Sequence, residues 1–133
     1  PRFELVLFKR FLLKLAERLS KEKGYKAIAT GDSLSQVASQ TLNNLSAESA
    51  GIDALILRPF TTLNKEDIIK LAEKYGTYDL SIQPYKDCCS IVSKHPSTNA
   101  RAEMIDRLSK EIDLDGIVDE SIKLLKVMEF PLS

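Results

Sequence analysis

The stretch of residues 27–41 constrains the fold of this chain more than any other. It opens with the apolar run Ala27–Ala29, breaks at Gly31, and continues with a helical pattern for which Asp32 and Ser33 are candidate caps. Strand, tight turn and helix in this order predict a βα unit of a parallel sheet, where ligands bind at the carboxyl end of the strand. Because Gly31 has no Cβ, a ligand could approach its backbone closely. An ordinary βα turn, in which Gly31 only relieves strain, explains the same residues.

Two apolar runs predict buried, parallel strands. The first begins at Ala27, and the second, residues 54–57, is stopped by Pro59. Both are continuously apolar and each precedes a helical pattern, which is typical of an α/β fold with a parallel sheet. An isolated pair of strands is not expected to be stable. Either further strands escape this pattern or, as we favour, the chain completes its sheet with another segment.

Helical periodicity accounts for most of the remaining chain. The first helix has a wide apolar arc, should pack on more than one neighbour, and should end at Gly24. The helix after the first strand should run to about Leu45, before a small, polar stretch. The other expected helices follow a cap at Thr61, Thr62 or Asn64 and end at Gly76, or cover residues 100–112 and 116–128.

The charge of the 133-residue chain is balanced overall but unevenly placed. Lys and Arg total 19, as do Asp and Glu, so whole-chain attraction to nucleic acid is not indicated. Residues 1–30 nevertheless hold eight basic against three acidic side chains, and residues 111–120 hold five acidic ones without a base. The basic end could face phosphates or form a solvated helix face. We expect no membrane span and a cytoplasmic protein, since no apolar run is long enough and no secretory signal is visible.

Cys88 and Cys89 form the chain's only thiol pair. Adjacent cysteines make a poor structural disulfide, so a reducing compartment fits best. Lys86, Lys94 and His95 lie close in sequence, and nearby cations favour a reactive thiolate. A nucleophilic or sulfur-carrying cysteine and a pair of inert thiols both remain open. The spacing matches no zinc pattern, so no metal site is expected, and the isolated glycines form no phosphate-binding loop.

Several segments, in order along residues 5–97, resemble the tRNA 4-thiouridine synthetases, the tRNA sulfurtransferases that also serve thiamine thiazole synthesis. The matching segments are Ala-Thr-Gly-Asp-Ser-Leu (29–34), Gln-Val-Ala-Ser-Gln-Thr-Leu (36–42), Leu-Arg-Pro-Phe (57–60), Lys-Glu-Asp-Ile-Ile (65–69), Gly-Thr-Tyr-Asp (76–79) and Asp-Cys-Cys (87–89). The resemblance implies a Rossmann-like adenine nucleotide α-hydrolase (PP-loop) fold. It also implies that ATP, with Mg²⁺, adenylates a tRNA uridine before a cysteine persulfide delivers sulfur.

The resemblance also assigns site residues by position. Lys9, Gly31 and Gln40 match nucleotide-binding positions, with Gln40 expected more than two turns along the helix that follows Gly31. Cys89 matches the catalytic cysteine. Cys88 lies where other members carry a residue other than cysteine, so it is either dispensable or able to resolve a persulfide on Cys89.

The departures from the family pattern concern what is missing. The pyrophosphate-binding Ser-Gly-Gly-x-Asp-Ser loop, the THUMP region and a rhodanese domain are absent from this sequence. Residues 1–133 therefore resemble the C-terminal portion of the catalytic domain. The expected partners are tRNA, a sulfur donor such as a cysteine desulfurase, and either a segment or chain carrying the missing half or a second copy. A non-catalytic nucleotide-binding or assembly subunit, or a thiol-redox protein using Cys88 and Cys89, are the alternatives.

Overall fold

The computed structural model of the chain describes residues 3–34, 40–85, 92 and 97–131. In chain order its elements are α1 (Glu4–Lys23), β1 (Ala27–Ala29), α2 (Leu42–Ser49), β2 (Leu55–Leu57), α3 (Lys65–Lys74), α4 (Tyr78–Ser81), α5 (Ala102–Glu111) and α6 (Leu114–Lys123). None of these helices combines the length and the apolar character that a bilayer span requires.

The two strands pair in parallel, as the apolar runs predict. Ile28 lies opposite Ile56, and the Thr30 N–H donates to the Leu57 carbonyl at 3.0 Å, which extends the strand pairing past β1. Side chains alternate between the faces of a sheet, so Ile28 and Ile56 share one face and Leu55 and Leu57 the other. Ile28 is buried, whereas Leu55 and Leu57 are 60% and 49% exposed. Within the described residues, the sheet has two strands and one bare face.

Helix α1 packs against more elements than any other helix or strand of the described residues. It contacts β1, α2, α5 and α6, which confirms that its wide apolar arc serves several neighbours. Val6 of α1 is buried with Ala47 of α2, Ala100, and Ile105 of α5. Complete burial of an aliphatic side chain such as Val6 or Ile105 contributes roughly 1.5–3 kcal/mol. The helix ends at Gly24, whose φ of +73° is the left-handed conformation that a glycine C-cap adopts.

Three ion pairs join the polar side of α1 to α5 and α6. We call them the charge ladder: Arg10–Asp106, Lys14 Nζ–Asp115 Oδ1 at 2.6 Å, and Arg18 Nη2–Asp119 Oδ1 at 2.9 Å. The three cations recur every four residues, so they lie on one side of the helix. Two of the five acidic side chains of residues 111–120, Asp115 and Asp119, thus pair with basic side chains of α1, and Arg10 pairs with a carboxylate of α5.

Helix α2 differs from its prediction at both ends. It begins at Leu42, where Thr41 Oγ1 accepts a hydrogen bond from the Asn44 N–H at 3.2 Å. Asp32 and Ser33 lie in non-helical chain and cap no described helix, while residues 35–39 lie outside the described residues. The helix continues to Ser49, past the predicted end near Leu45. Tertiary burial of its middle outweighs the weak helix propensity of the small, polar residues there.

The C-terminal helices are shorter than predicted. Helix α6 begins at Leu114, and Asp113 caps it by accepting from the Gly116 N–H at 3.3 Å. It ends at Lys123 instead of residue 128, and Leu124 beyond it is 80% exposed. An apolar segment with no surface to pack against gains little from remaining helical. By contrast, one of the predicted caps of α3 is confirmed, since Asn64 Oδ1 accepts from the Asp67 N–H at 2.9 Å.

Candidate functional site

The turn that leaves β1, residues 30–34, is fixed to the chain that follows β2. Ser33 Oγ donates to the Leu63 carbonyl at 3.0 Å, and the Leu34 N–H donates to the Thr61 carbonyl at 3.2 Å. Both strands run in the same direction, so this turn and Arg58 occupy the same edge of the sheet. That edge is the carboxyl end of the strands, where parallel sheets bind their ligands.

Asp32 lies at the centre of this edge and binds two cations from different elements. Its Oδ1 is 3.1 Å from Lys9 Nζ of α1, and its Oδ2 is 3.3 Å from Arg58 Nε. Thr30 Oγ1 also donates to Oδ2 at 2.7 Å. Burial by itself would raise the pKa of Asp32, but the Thr30 hydrogen bond and the charges of Lys9 and Arg58 together hold that pKa below its usual value. Asp32 is therefore a carboxylate at neutral pH.

Glu48 of α2 completes the group, which we call the strand-end cluster: Lys9, Asp32, Glu48 and Arg58. Its Oε1 is 3.9 Å from Arg58 Nη2, which also donates to Ser49 Oγ at 2.6 Å. Glu48 is 1% exposed, and its Oε2 has no hydrogen-bond partner among the described residues. Burial raises the pKa of Glu48 to about 7, against the attraction of Lys9 and Arg58 and with some repulsion from Asp32.

The three residues expected to bind nucleotide gather around the same turn. Lys9 contacts Asp32, Gly31 precedes it, and Gln40 Oε1 accepts from the Ser33 N–H at 2.6 Å. A Cβ built at Gly31 would meet no atom within 4 Å among the described residues, so the space beside this backbone is open. One expectation was wrong: Gln40 precedes α2 and is not helical, and its side chain reaches back to close the loop. Cys88, Cys89 and His95 lie outside the described residues.

The cysteine segment, including the expected catalytic Cys89, lies outside the described residues. No arrangement of its thiols relative to the strand-end cluster is described. The assignment of Cys89 stays a prediction that rests on the resemblance.

Sequence reasoning missed three members of this site. It treated Asp32 as a candidate helix cap and assigned no site role to Arg58 or Glu48. The first two could have been found, because residues that directly follow two parallel strands meet at one edge of the sheet. Glu48 carried no such signal, since its position depends on how α2 packs.

The chemistry of the site suits an anionic ligand. Two cations face one ionised carboxylate, and Glu48 near its midpoint of titration adds at most a partial negative charge at neutral pH. Lys and Arg are the side chains that proteins use most to hold phosphate groups. The open backbone at Gly31 gives such a ligand room to approach. The described residues therefore fit an anionic group such as a phosphate of a nucleotide.

Comparison with known proteins gives consistent results. The family model described as "Thiamine biosynthesis protein (ThiI)" matches residues 1–114. The chain is 38% identical over 120 residues to a "Probable tRNA sulfurtransferase" of Thermoanaerobacter sp. (strain X514), and 36% identical over 121 residues to one of Thermoanaerobacter pseudethanolicus. Each match covers 90% of this chain and 32% of the relative. The chain thus spans about a third of the length of these relatives.

A solved structure has the same fold over most of the chain. It is described as the crystal structure of a 4-thiouridine synthetase–RNA complex with bound ATP, and it superposes with a TM-score of 0.79 at 32% sequence identity. The match covers 90% of this chain and 31% of that one. It confirms the predicted α/β fold of the PP-loop class, as a part of the larger protein.

Proposed function

This chain belongs to the thiamine biosynthesis protein (ThiI) family, and on that premise we propose that it is part of an ATP-dependent tRNA sulfurtransferase that forms 4-thiouridine in the cytoplasm. Relatives named tRNA sulfurtransferase and an ATP-bound 4-thiouridine synthetase of the same fold support the proposal. The observation that carries it is the gathering of Lys9, Gly31 and Gln40 around one turn at the carboxyl edge of the sheet.

In this proposal the strand-end cluster holds part of an ATP molecule. Lys9 offers a positive charge to the phosphate groups, and Gly31 lets the nucleotide lie close to the backbone. Gln40 keeps the loop closed by accepting the Ser33 N–H. Mg²⁺ would arrive with the nucleotide, bound to its phosphate oxygens. The oxygens of Asp32 already accept from Lys9, Arg58 and Thr30, so we assign Asp32 to holding these groups.

The proposed reaction has two steps. The O4 oxygen of a tRNA uridine attacks the α-phosphate of ATP, and pyrophosphate leaves. The terminal sulfur of a persulfide on Cys89 then attacks C4, and AMP leaves with the former O4 oxygen. A second thiol, for which Cys88 is one candidate, then attacks Sγ of Cys89, which releases the 4-thiouridine and leaves a disulfide that an external dithiol reduces. A donor such as a cysteine desulfurase would load the persulfide, and the same sulfur could serve thiamine thiazole synthesis.

We further infer that these residues are the C-terminal portion of the catalytic domain and that other residues complete it. Leu55 and Leu57 leave one sheet face bare, whereas parallel sheets are normally covered on both faces. The rest of the domain, with the pyrophosphate-binding loop, would come from another segment, another chain or a second copy.

Native mass spectrometry of the purified protein, with and without Mg-ATP, tests the nucleotide site. We expect an assembly that binds ATP, and weaker binding in Lys9→Ala because one phosphate-binding charge is lost. Lys126→Ala, beyond α6, is the matched control and should bind ATP as the wild type does. An assembly that ignores ATP in all variants would contradict the proposal and favour a redox or purely structural role.

Thiolation of tRNA by the ATP-binding assembly tests the catalytic cysteine. Cys89→Ala should abolish 4-thiouridine formation while leaving ATP binding intact, because sulfur transfer and adenylation use different residues. Cys88→Ala is the paired control that separates a resolving thiol from a dispensable one. Full thiolation by Cys89→Ala would contradict the assignment of Cys89 as the catalytic cysteine. ATP binding without thiolation in the wild type would identify a non-catalytic subunit.

A further inference from the structure

We propose that Asp32 is a positioning residue, which holds Lys9 and Arg58 side by side as a two-cation site for the phosphate groups of one nucleotide. The inference rests on the proposed function, and it adds Arg58 and Asp32 to the residues that the family resemblance assigned.

The geometry places one carboxylate between two cations that no local structure brings together. Lys9 belongs to α1 and Arg58 follows β2, and each contacts a different oxygen of Asp32, at 3.1 Å and 3.3 Å. Two cations this close repel each other, and a carboxylate between them offsets that repulsion. Asp32 is itself held by Thr30 Oγ1 at 2.7 Å, so its orientation does not depend on the two cations alone.

Arg58 is fixed on a second side as well. Its Nη2 donates to Ser49 Oγ at 2.6 Å and lies 3.9 Å from Glu48 Oε1. The planar guanidinium is therefore held by groups on two elements before any ligand arrives. Preorganised cations of this kind bind phosphate with little loss of side-chain freedom.

The charge of the cluster suits an anion. With Asp32 ionised and Glu48 only partly ionised at neutral pH, the two cations leave a net positive charge, and the buried Glu48 Oε2 has hydrogen-bonding capacity that the described residues do not use. The charge ladder offers a contrast, because each of its cations has its own carboxylate. The excess of positive charge is at the strand ends.

The test compares the binding of ATP with that of adenosine in the ATP-binding assembly. Asp32→Asn keeps the shape of the side chain but removes the charge that holds the two cations together. We expect ATP affinity to fall about tenfold or more, with adenosine affinity unchanged because adenosine has no phosphate. Arg58→Met should give the same selective loss of ATP affinity. Asp32→Asn should lower ATP affinity less in the Lys9→Ala background than in the wild type, because one of the two cations is already missing.

Asp119→Asn is the matched control, since it also removes an aspartate that pairs with α1 and should leave both affinities unchanged. If Asp32→Asn does not fold, Thr30→Val removes one hydrogen bond to Asp32 and should give a smaller, two- to threefold loss of ATP affinity alone. Equal ATP binding by wild type and folded Asp32→Asn would overturn this inference and leave the proposed function standing. A parallel loss of ATP and adenosine would also overturn it, as a general structural effect. Failure of the wild type to bind ATP at all would instead contradict the proposed function.

Discussion

The strand-end cluster and the charge ladder use the same chemistry on the same helix in different surroundings. Lys9 and Arg10 are neighbours in α1, about 100° apart around its axis, so one turns to the sheet edge and the other to α5. In the cluster, the Lys9 and Asp32 side chains are 13% and 12% exposed, whereas Arg18 and Asp119 at the outer end of the ladder are each 48% exposed.

This difference in burial decides what the ion pairs do. Exposed pairs are screened by water and salt, so they contribute little to stability. Buried charges lose their hydration, and each depends on its partner remaining in place. The outer pair of the ladder, Arg18–Asp119, therefore matches charges of α1 and α6 with little effect on stability, whereas Arg10 at the inner end is as buried as the cluster. In the cluster, by contrast, removing one charged group leaves a buried neighbour without its ion-pair partner.

The largest effect should come from removing the cation that two carboxylates share. Arg58→Met leaves Asp32 without one of its ion pairs and Glu48 without its nearest cation. We expect a loss of about 3 kcal/mol in the free energy of unfolding at pH 7, the lower end of the range for breaking a buried pair. Urea unfolding monitored by circular dichroism measures it. A loss below about 1 kcal/mol would show that the cluster is as well hydrated as the ladder.

An effect of comparable size should appear in the pH dependence of the free energy of unfolding, and Glu48 should be its source. Its pKa is raised from 4.5 to about 7 in the fold, so the folded state favours the neutral form. The contribution of Glu48 is fully present below pH 4.5 and is lost as pH rises through 7, by about 3 kcal/mol in total. Glu48→Gln should flatten the curve of stability against pH between pH 5 and 8.

Unfolding free energies measured across that pH range would check the prediction for Glu48. Glu120→Gln, on the exposed side of α6, controls for the removal of one acidic side chain. An unchanged slope in Glu48→Gln would mean that Glu48 is ionised throughout and paired with Arg58.

The smallest effect should come from the outer end of the ladder. Arg18→Ala and Asp119→Ala should each change the free energy of unfolding by less than about 1 kcal/mol, because both side chains are half exposed. A double-mutant cycle should give a coupling energy of about 0.2–1 kcal/mol that falls as salt is added. A coupling above about 2 kcal/mol, insensitive to salt, would place this pair in the same class as the cluster.

The sequence by itself determined the local features and the family. Continuous apolar runs predicted two parallel strands, Gly24 and Asn64 were identified as possible ends of helices, and the wide apolar arc of α1 predicted several packing neighbours. These succeed because each signal is contained in a few adjacent residues. The gathering of Lys9, Gly31 and Gln40 was implied only through the resemblance to a family, which assigned all three to nucleotide binding.

Tertiary structure alone decided which charges meet. Arg10 pairs with Asp106, although nothing near either residue in the sequence indicates its partner. For Asp32 and Arg58 the sequence could indicate a shared sheet edge, but not that the two side chains form an ion pair. The same holds for Glu48, which became a buried acid because α2 runs past its predicted end and packs against α1 and α5. Ion-pair partners and shifted pKa values depend on distance and burial, and both are properties of how the elements pack rather than of any single segment.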